Sequence, residues 1–223
     1  MSSLNRIISG TYSGLTRNFF LVIINILSLP IYLSFWSLNL YGTWILILTI
    51  ISFLRIPIFS YQEYLGNEFL KLGKKNRLEI SKILYGSIII TFILSILFTL
   101  FIFLLFEFAD LLYYFKISNS FIHASEIALI ILFASQIISF IAGLFIRALS
   151  PFGYYPKTQW IGLADVILVP IFQIIFVMLD FKLLGLSMVT FFIINFLNII
   201  YLFYFLKLIK KEKITYIKFY FLK

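Results

Sequence analysis

Residues 18–54 contain no Asp, Glu, Lys or Arg. A helix needs roughly 20 residues to cross a ~30 Å hydrocarbon core, so this one run is long enough for nearly two spans. Three further charge-free runs, 83–106, 127–146 and 183–206, suffice for one span each, and the apolar segment around Asp165 supplies another. Inside a bilayer only α-helices and closed β-barrels satisfy their own backbone polar groups. Barrel strands are about 10 residues of alternating apolar and polar character, whereas these runs are continuous and about twice as long. The class is therefore all-α: a polytopic membrane protein with six transmembrane helices. Composition agrees, with 62% hydrophobic and 12% charged residues among 223, outside the balance of soluble domains.

The stretch Asn39-Leu40-Tyr41-Gly42-Thr43 is polar and contains glycine, and it predicts the break between the first two helices. The six spans then fall at about 16–38, 43–64, 81–106, 124–147, 158–179 and 183–206, a transmembrane lobe over residues 1–206 followed by a basic tail at 207–223. Arg6 and Arg17 precede an apolar stretch that is longer than a signal-peptide core and lacks an A-x-A-like site, so the first helix is expected to be retained. Pro30, Pro57 and Pro170 fall inside helices 1, 2 and 5, where each removes a backbone hydrogen bond and bends the helix. The absence of cysteine rules out disulfides and thiolate metal sites.

Basic residues alternate by connection. Two lie in the N-terminal region (Arg6 and Arg17), none separates helices 1 and 2, and six lie from Arg55 to Lys82; then come Lys116 alone, Arg147 with Lys157, Lys182 alone, and six from Lys207 to Lys223. Sixteen against two on alternate sides predicts that both termini are cytoplasmic. The opposite side carries Glu107, Asp110, His123 and Glu126. The net charge of +9 therefore reads as topology and attraction to anionic inner-leaflet lipid rather than nucleic-acid binding. The tail mixes basic and aromatic residues and suits the inner membrane surface.

Titratable groups suited to catalysis are few: one histidine, no cysteine and nine scattered carboxylates. There is no H-E-x-x-H, G-x-S-x-G or P-loop motif, and no paired-aspartate motif. His123 and Glu126 lie one helical turn apart, an arrangement read as two solvated side chains rather than an acid–base pair. The chain is expected not to be an enzyme, and it calls for no cofactor.

Polar groups do occur within the spans. Asn18, Asn25, Gln136, Gln173, Asn195 and Asn198 suit either interhelical hydrogen bonding or the lining of a polar cavity. Arg55 and Asp165 each lie eight residues from a charged residue at the inner boundary, Glu63 and Lys157, which places both about 12 Å deep at 1.5 Å per residue. An ion pair between them is one reading, and a substrate or proton site in a central cavity is the other. Lysine and arginine are used differently. All thirteen lysines fall in loops, tails or helix ends, while Arg17, Arg55 and Arg147 lie in or at the inner edge of helices, where a planar guanidinium grips phosphate bidentately.

Asn18 and Pro30 in helix 1, Tyr41-Gly42-Thr43-Trp44 opening helix 2, Gly66-Asn67-Glu68, and the Lys-Leu-Gly-Lys-Lys-Asn loop before helix 3 occur in an order over residues 1–206. This order resembles the amino-terminal half of the polysaccharide (O-antigen) flippases, members of the multidrug and oligosaccharidyl-lipid exporter (MATE-like) superfamily. The resemblance implies one MATE-like lobe in the bacterial inner membrane. It also implies a polyprenyl-pyrophosphate-linked oligosaccharide as substrate, flipped by alternating access through a cationic cavity between two lobes. Arg17, Arg55 and Arg147 would then face the pyrophosphate, Asp165 would be the ion-coupling or ion-pair residue, and Asn25, Gln136, Gln173, Asn195 and Asn198 would line the cavity. The family has twelve to fourteen helices, so a partner lobe is expected, from a separate chain or from a second copy. The alternatives are a drug or metabolite exporter lobe of the same superfamily, with more weight on Asp165, and a non-transporting scaffold or degenerate remnant.

Overall fold

The computed structural model describes residues 3–109, 117 and 120–214. They form seven α-helices: α1 (Ser3–Phe35), α2 (Leu38–Leu72), α3 (Arg77–Ala109), α4 (Ile122–Ala134), α5 (Gln136–Leu149), α6 (Tyr155–Met178) and α7 (Leu183–Lys211). A 3-10 turn at Ser150–Phe152 follows α5, and no strand occurs among the described residues. Because α4, α5 and the turn together make one span, six segments are long and apolar enough to cross a membrane. The protein is an all-α polytopic membrane protein.

The first break falls at Trp36-Ser37 rather than at Asn39–Thr43. Ser37 takes the N-cap of α2, its hydroxyl accepting from the Leu40 N–H at 3.3 Å, and Asn39–Thr43 run on as helix. A hydroxyl that satisfies an orphan N–H decides the start, while Gly42 inside a helix costs only about 1 kcal/mol. α1 begins well before the expected residue 16, and α2, α3 and α7 also outrun their apolar windows. Charge-free runs mark what fits in lipid, but the helical ladder continues beyond them. Surface turns are supported by Glu68–Lys71 at 2.7 Å and Glu79–Lys82 at 2.9 Å. Lys207–Lys211, expected in the tail, form the last turns of α7. Residues 215–223 of the tail, Asp110 and Lys116 lie outside the described residues, as do the side chains of Arg6 and Glu107.

Three helices end on a left-handed residue, for which glycine is the usual choice. α2 stops at Gly73 (φ 64°), whereas α6 and α7 are closed by Asp180 (φ 62°) and Lys213 (φ 56°). In both of the latter the next N–H reaches back over the turn, from Phe181 to Phe176 O at 3.0 Å and from Ile214 to Ile209 O at 3.1 Å.

Antiparallel spans place the start of α1, the α2–α3 and α5–α6 connections and the end of α7 at one end of the bundle, called here the terminal end. There Arg77 approaches Glu212 at 3.9 Å and the Tyr154 hydroxyl donates to Glu212 Oε1 at 2.7 Å, joining α3, the α5–α6 turn and α7. The carboxylate accepting that proton pushes the Tyr154 phenol up to about 12. At the opposite end Trp36 Nε1 donates to Phe181 O at 3.0 Å and ties the α1–α2 turn to the α6–α7 turn.

Two buried clusters hold α2–α5 and α7 together, one around Trp44, Ile47, Phe133 and Leu186 and one around Phe69, Leu84, Leu149 and Phe205. Between lipid-immersed helices this contact gains dispersion rather than release of water. α6 leans on α7, and α1 packs chiefly along α6. It meets α2 at their shared turn, where Tyr32–Tyr41 and Trp36–Trp44 ring centroids stand 5.5 and 6.2 Å apart. Away from that turn α1 and α2 diverge, and a cavity opens beside them.

Candidate functional site: a cavity with three arginines

The cavity has a volume of about 240 Å³ and is lined from five helices. α1 supplies Arg17; α2 supplies Arg55, Phe59 and Gln62; α5 supplies Ser139, Gly143 and Arg147; α6 supplies Thr158, Gln159 and Asp165; α7 supplies Asn198 and Tyr201. All three arginines singled out in the sequence therefore reach one space, together with Asp165 and Asn198.

The ion pair between Arg55 and Asp165 is not formed. Among the described residues Arg55 Nε and Asp165 Oδ1 are both buried without a hydrogen-bond partner. Both residues line the cavity without pairing with each other. The Arg55 guanidinium lies 4.7 Å from the Phe59 ring centroid, one turn along its own helix. α1 packs on α6, which brings Arg17 rather than Arg55 into the electrostatic surroundings of Asp165. Arg17 Nε passes over Gly162, 4.0 Å from where a Cβ would stand. The Tyr201 hydroxyl is buried beside Asp165.

Arg147 is placed differently, paired with Glu63 across the α2–α5 crossing. That crossing is built from two reciprocal glycines. The Arg147 stem lies against Gly66, 3.1 Å from an added Cβ, and the Gln62 amide lies against Gly143, 2.6 Å from one. Gln62 Nε2 also donates to Phe140 O at 2.8 Å, which fixes the amide in the wall. Asn198 Nδ2 donates to Ser139 Oγ at 2.7 Å and joins α7 to α5 at the cavity edge.

The other polar residues expected in the cavity lie elsewhere. Asn25 is exposed on α1. Gln136 is buried at the α4–α5 break, donating to Ser135 Oγ at 2.9 Å, while Ser135 Oγ donates to Leu132 O at 2.6 Å. The expected single helix at 124–147 is interrupted there. Gln173 donates to Thr190 Oγ1 at 3.1 Å between α6 and α7, and Asn195 donates to Phe191 O at 2.9 Å in its own helix. Of these four, only Gln173 makes the interhelical bond expected of membrane amides. Gln62 and Tyr201 were not anticipated, but helical phase finds both: Gln62 follows Arg55 by seven residues and Tyr201 follows Asn198 by three. His123 Nδ1 and Glu126 Oε2 stand 3.7 Å apart, with the His123 side chain 86% exposed.

Fold and site together define a membrane protein of six candidate spans with a polar cavity lined by Arg17, Arg55 and Arg147, of which Arg17 is exposed and the other two half-buried. Compared with family models, with curated proteins and with solved structures, the chain has no match in any of the three.

Proposed function

We propose that this chain is one lobe of a flippase that moves polyprenyl-pyrophosphate-linked oligosaccharides across the bacterial inner membrane. In this reading the terminal end is cytoplasmic, and a second six-helix lobe, another chain or another copy, closes the cavity from the other side. One observation carries the reading: guanidinium groups from three different helices converge on a single cavity. Three arginines against Asp165 and Glu63 leave that space cationic, and neither Arg17 nor Arg55 forms an ion pair among the described residues. Guanidinium groups with unused donors and little competing carboxylate suit a pyrophosphate. Arg147, held by Glu63, is a third donor that an incoming anion draws away. Alternate-side basic residues support the orientation. The unpartnered Asp165 Oδ1 favours a second reading, export of a cationic solute.

The test is flipping of a lipid-linked oligosaccharide in proteoliposomes, with the second lobe co-reconstituted. Arg55→Ala is expected to slow flipping roughly 10- to 100-fold, the worth of one or two charge-assisted hydrogen bonds. Equal rates for variant and wild type would contradict the assignment, and faster transport of a cationic solute with sensitivity to Asp165→Asn would favour the second reading.

A further inference from the structure

We infer that Phe59 is a positioning residue of the cavity: its ring holds the Arg55 guanidinium ready for an anion without using up the donors that the anion would take. The inference rests on the reading above, that Arg55 meets a phosphate group, and adds what presents it.

An arginine side chain on a membrane helix is long and rich in rotamers, and left to itself it leans toward water at the nearer boundary. The cavity restrains two of its arginines by different means. Arg147 is paired with the Glu63 carboxylate, which occupies donors and offsets charge. Arg55 instead lies over the Phe59 ring, 4.7 Å from its centroid and one turn along α2, and its Nε is buried without a hydrogen-bond partner. A ring attracts a cation through its quadrupole and offers no carboxylate lone pairs, so both the charge and the donors of Arg55 remain for a ligand.

The ring is itself held from the core. Phe59 meets Phe140 of α5 edge to face at 6.3 Å between centroids, and Phe140 meets Phe133 of α4 at 6.3 Å. Phe133 and Phe140 are buried, and Gln62 Nε2 donates to Phe140 O at 2.8 Å. A row of rings thus runs from the core to the cavity wall and ends on Arg55, with Phe59 as its cavity-lining member. A guanidinium placed in advance escapes the ordering cost that a free one meets on binding, which is worth roughly fivefold in affinity.

Binding of inorganic pyrophosphate to the chain in phosphatidylcholine nanodiscs would be measured by calorimetry for wild type, Phe59→Leu, Arg55→Ala and the double variant. A second series would carry mono-, di- and trifluorinated phenylalanine in place of Phe59. Phe59→Leu should bind about fivefold more weakly than wild type and should have no further effect once Arg55 is alanine. Fluorination keeps the shape of the ring while draining its quadrupole, so affinity should fall stepwise toward that of Phe59→Leu. This series decides alone if Phe59→Leu fails to fold. Unchanged affinity along it, or a loss in Phe59→Leu that persists in the Arg55→Ala background, would overturn the positioning role and leave the pyrophosphate reading standing. Wild-type affinity in Arg55→Ala would overturn both.

Discussion

Arg55 and Gln62 occupy one face of α2 yet were not equally visible in the sequence. A charge inside an apolar run draws attention because even lenient insertion scales put it at roughly 2.5–3.5 kcal/mol. A glutamine near a helix end does not, and its role depends on what faces it, here Gly143 across the crossing. Gly143→Ala would place a Cβ 2.6 Å from Gln62 Oε1 and dislodge a side chain that is only 2% exposed. Thermal unfolding in detergent should show a loss of about 1–2 kcal/mol, the overpacking cost less the helix-propensity gain of alanine. Adding Gln62→Ala should recover much of it, because the displaced amide is then gone. Gly143→Ala at wild-type stability would mean that the crossing is looser than its geometry.

At the scale of the elements, the number and class of the spans were legible because lipid imposes a single rule, the length of apolar helix. Their ends were not. α2 begins at a serine cap, and α1, α2, α3 and α7 continue past the lipid-sized window, where hydropathy carries no further information. The α4–α5 break was equally hidden, since Ser135 and Gln136 read as ordinary helix positions. Left-handed C-terminal residues are a related blind spot, because Asp180 does the work of a glycine. Asp180→Gly is expected to raise the stability of the α6–α7 turn by roughly 1 kcal/mol through relief of the left-handed penalty. The opposing loss is small, since the Lys182–Asp180 pair is exposed. A lower unfolding temperature for the variant would assign that pair the larger share.

For the whole molecule, depth along each helix could be counted from the sequence, but neighbourhood could not. Counting placed Arg55 and Asp165 at one level and suggested a pair, whereas the packing of α1 on α6 brings Arg17 to Asp165 and leaves Arg55 over Phe59. The convergence of Arg17, Arg55 and Arg147 was legible only as a shared residue type, and the bundle supplies the shared space. Asn25, Gln136, Gln173 and Asn195 show the limit of the same logic, since polarity within a span does not say which way it faces. The central claim, that the cavity arginines seat a pyrophosphate, is tested most directly by equilibrium binding to the chain in nanodiscs. A polyprenyl pyrophosphate would be compared with the uncharged polyprenol, for wild type and for Arg17→Ala/Arg55→Ala. The account predicts that wild type prefers the pyrophosphate and that the double variant loses roughly 100-fold in that preference, at about 1.5 kcal/mol for each charged hydrogen bond removed. Equal preference in the two proteins would contradict it.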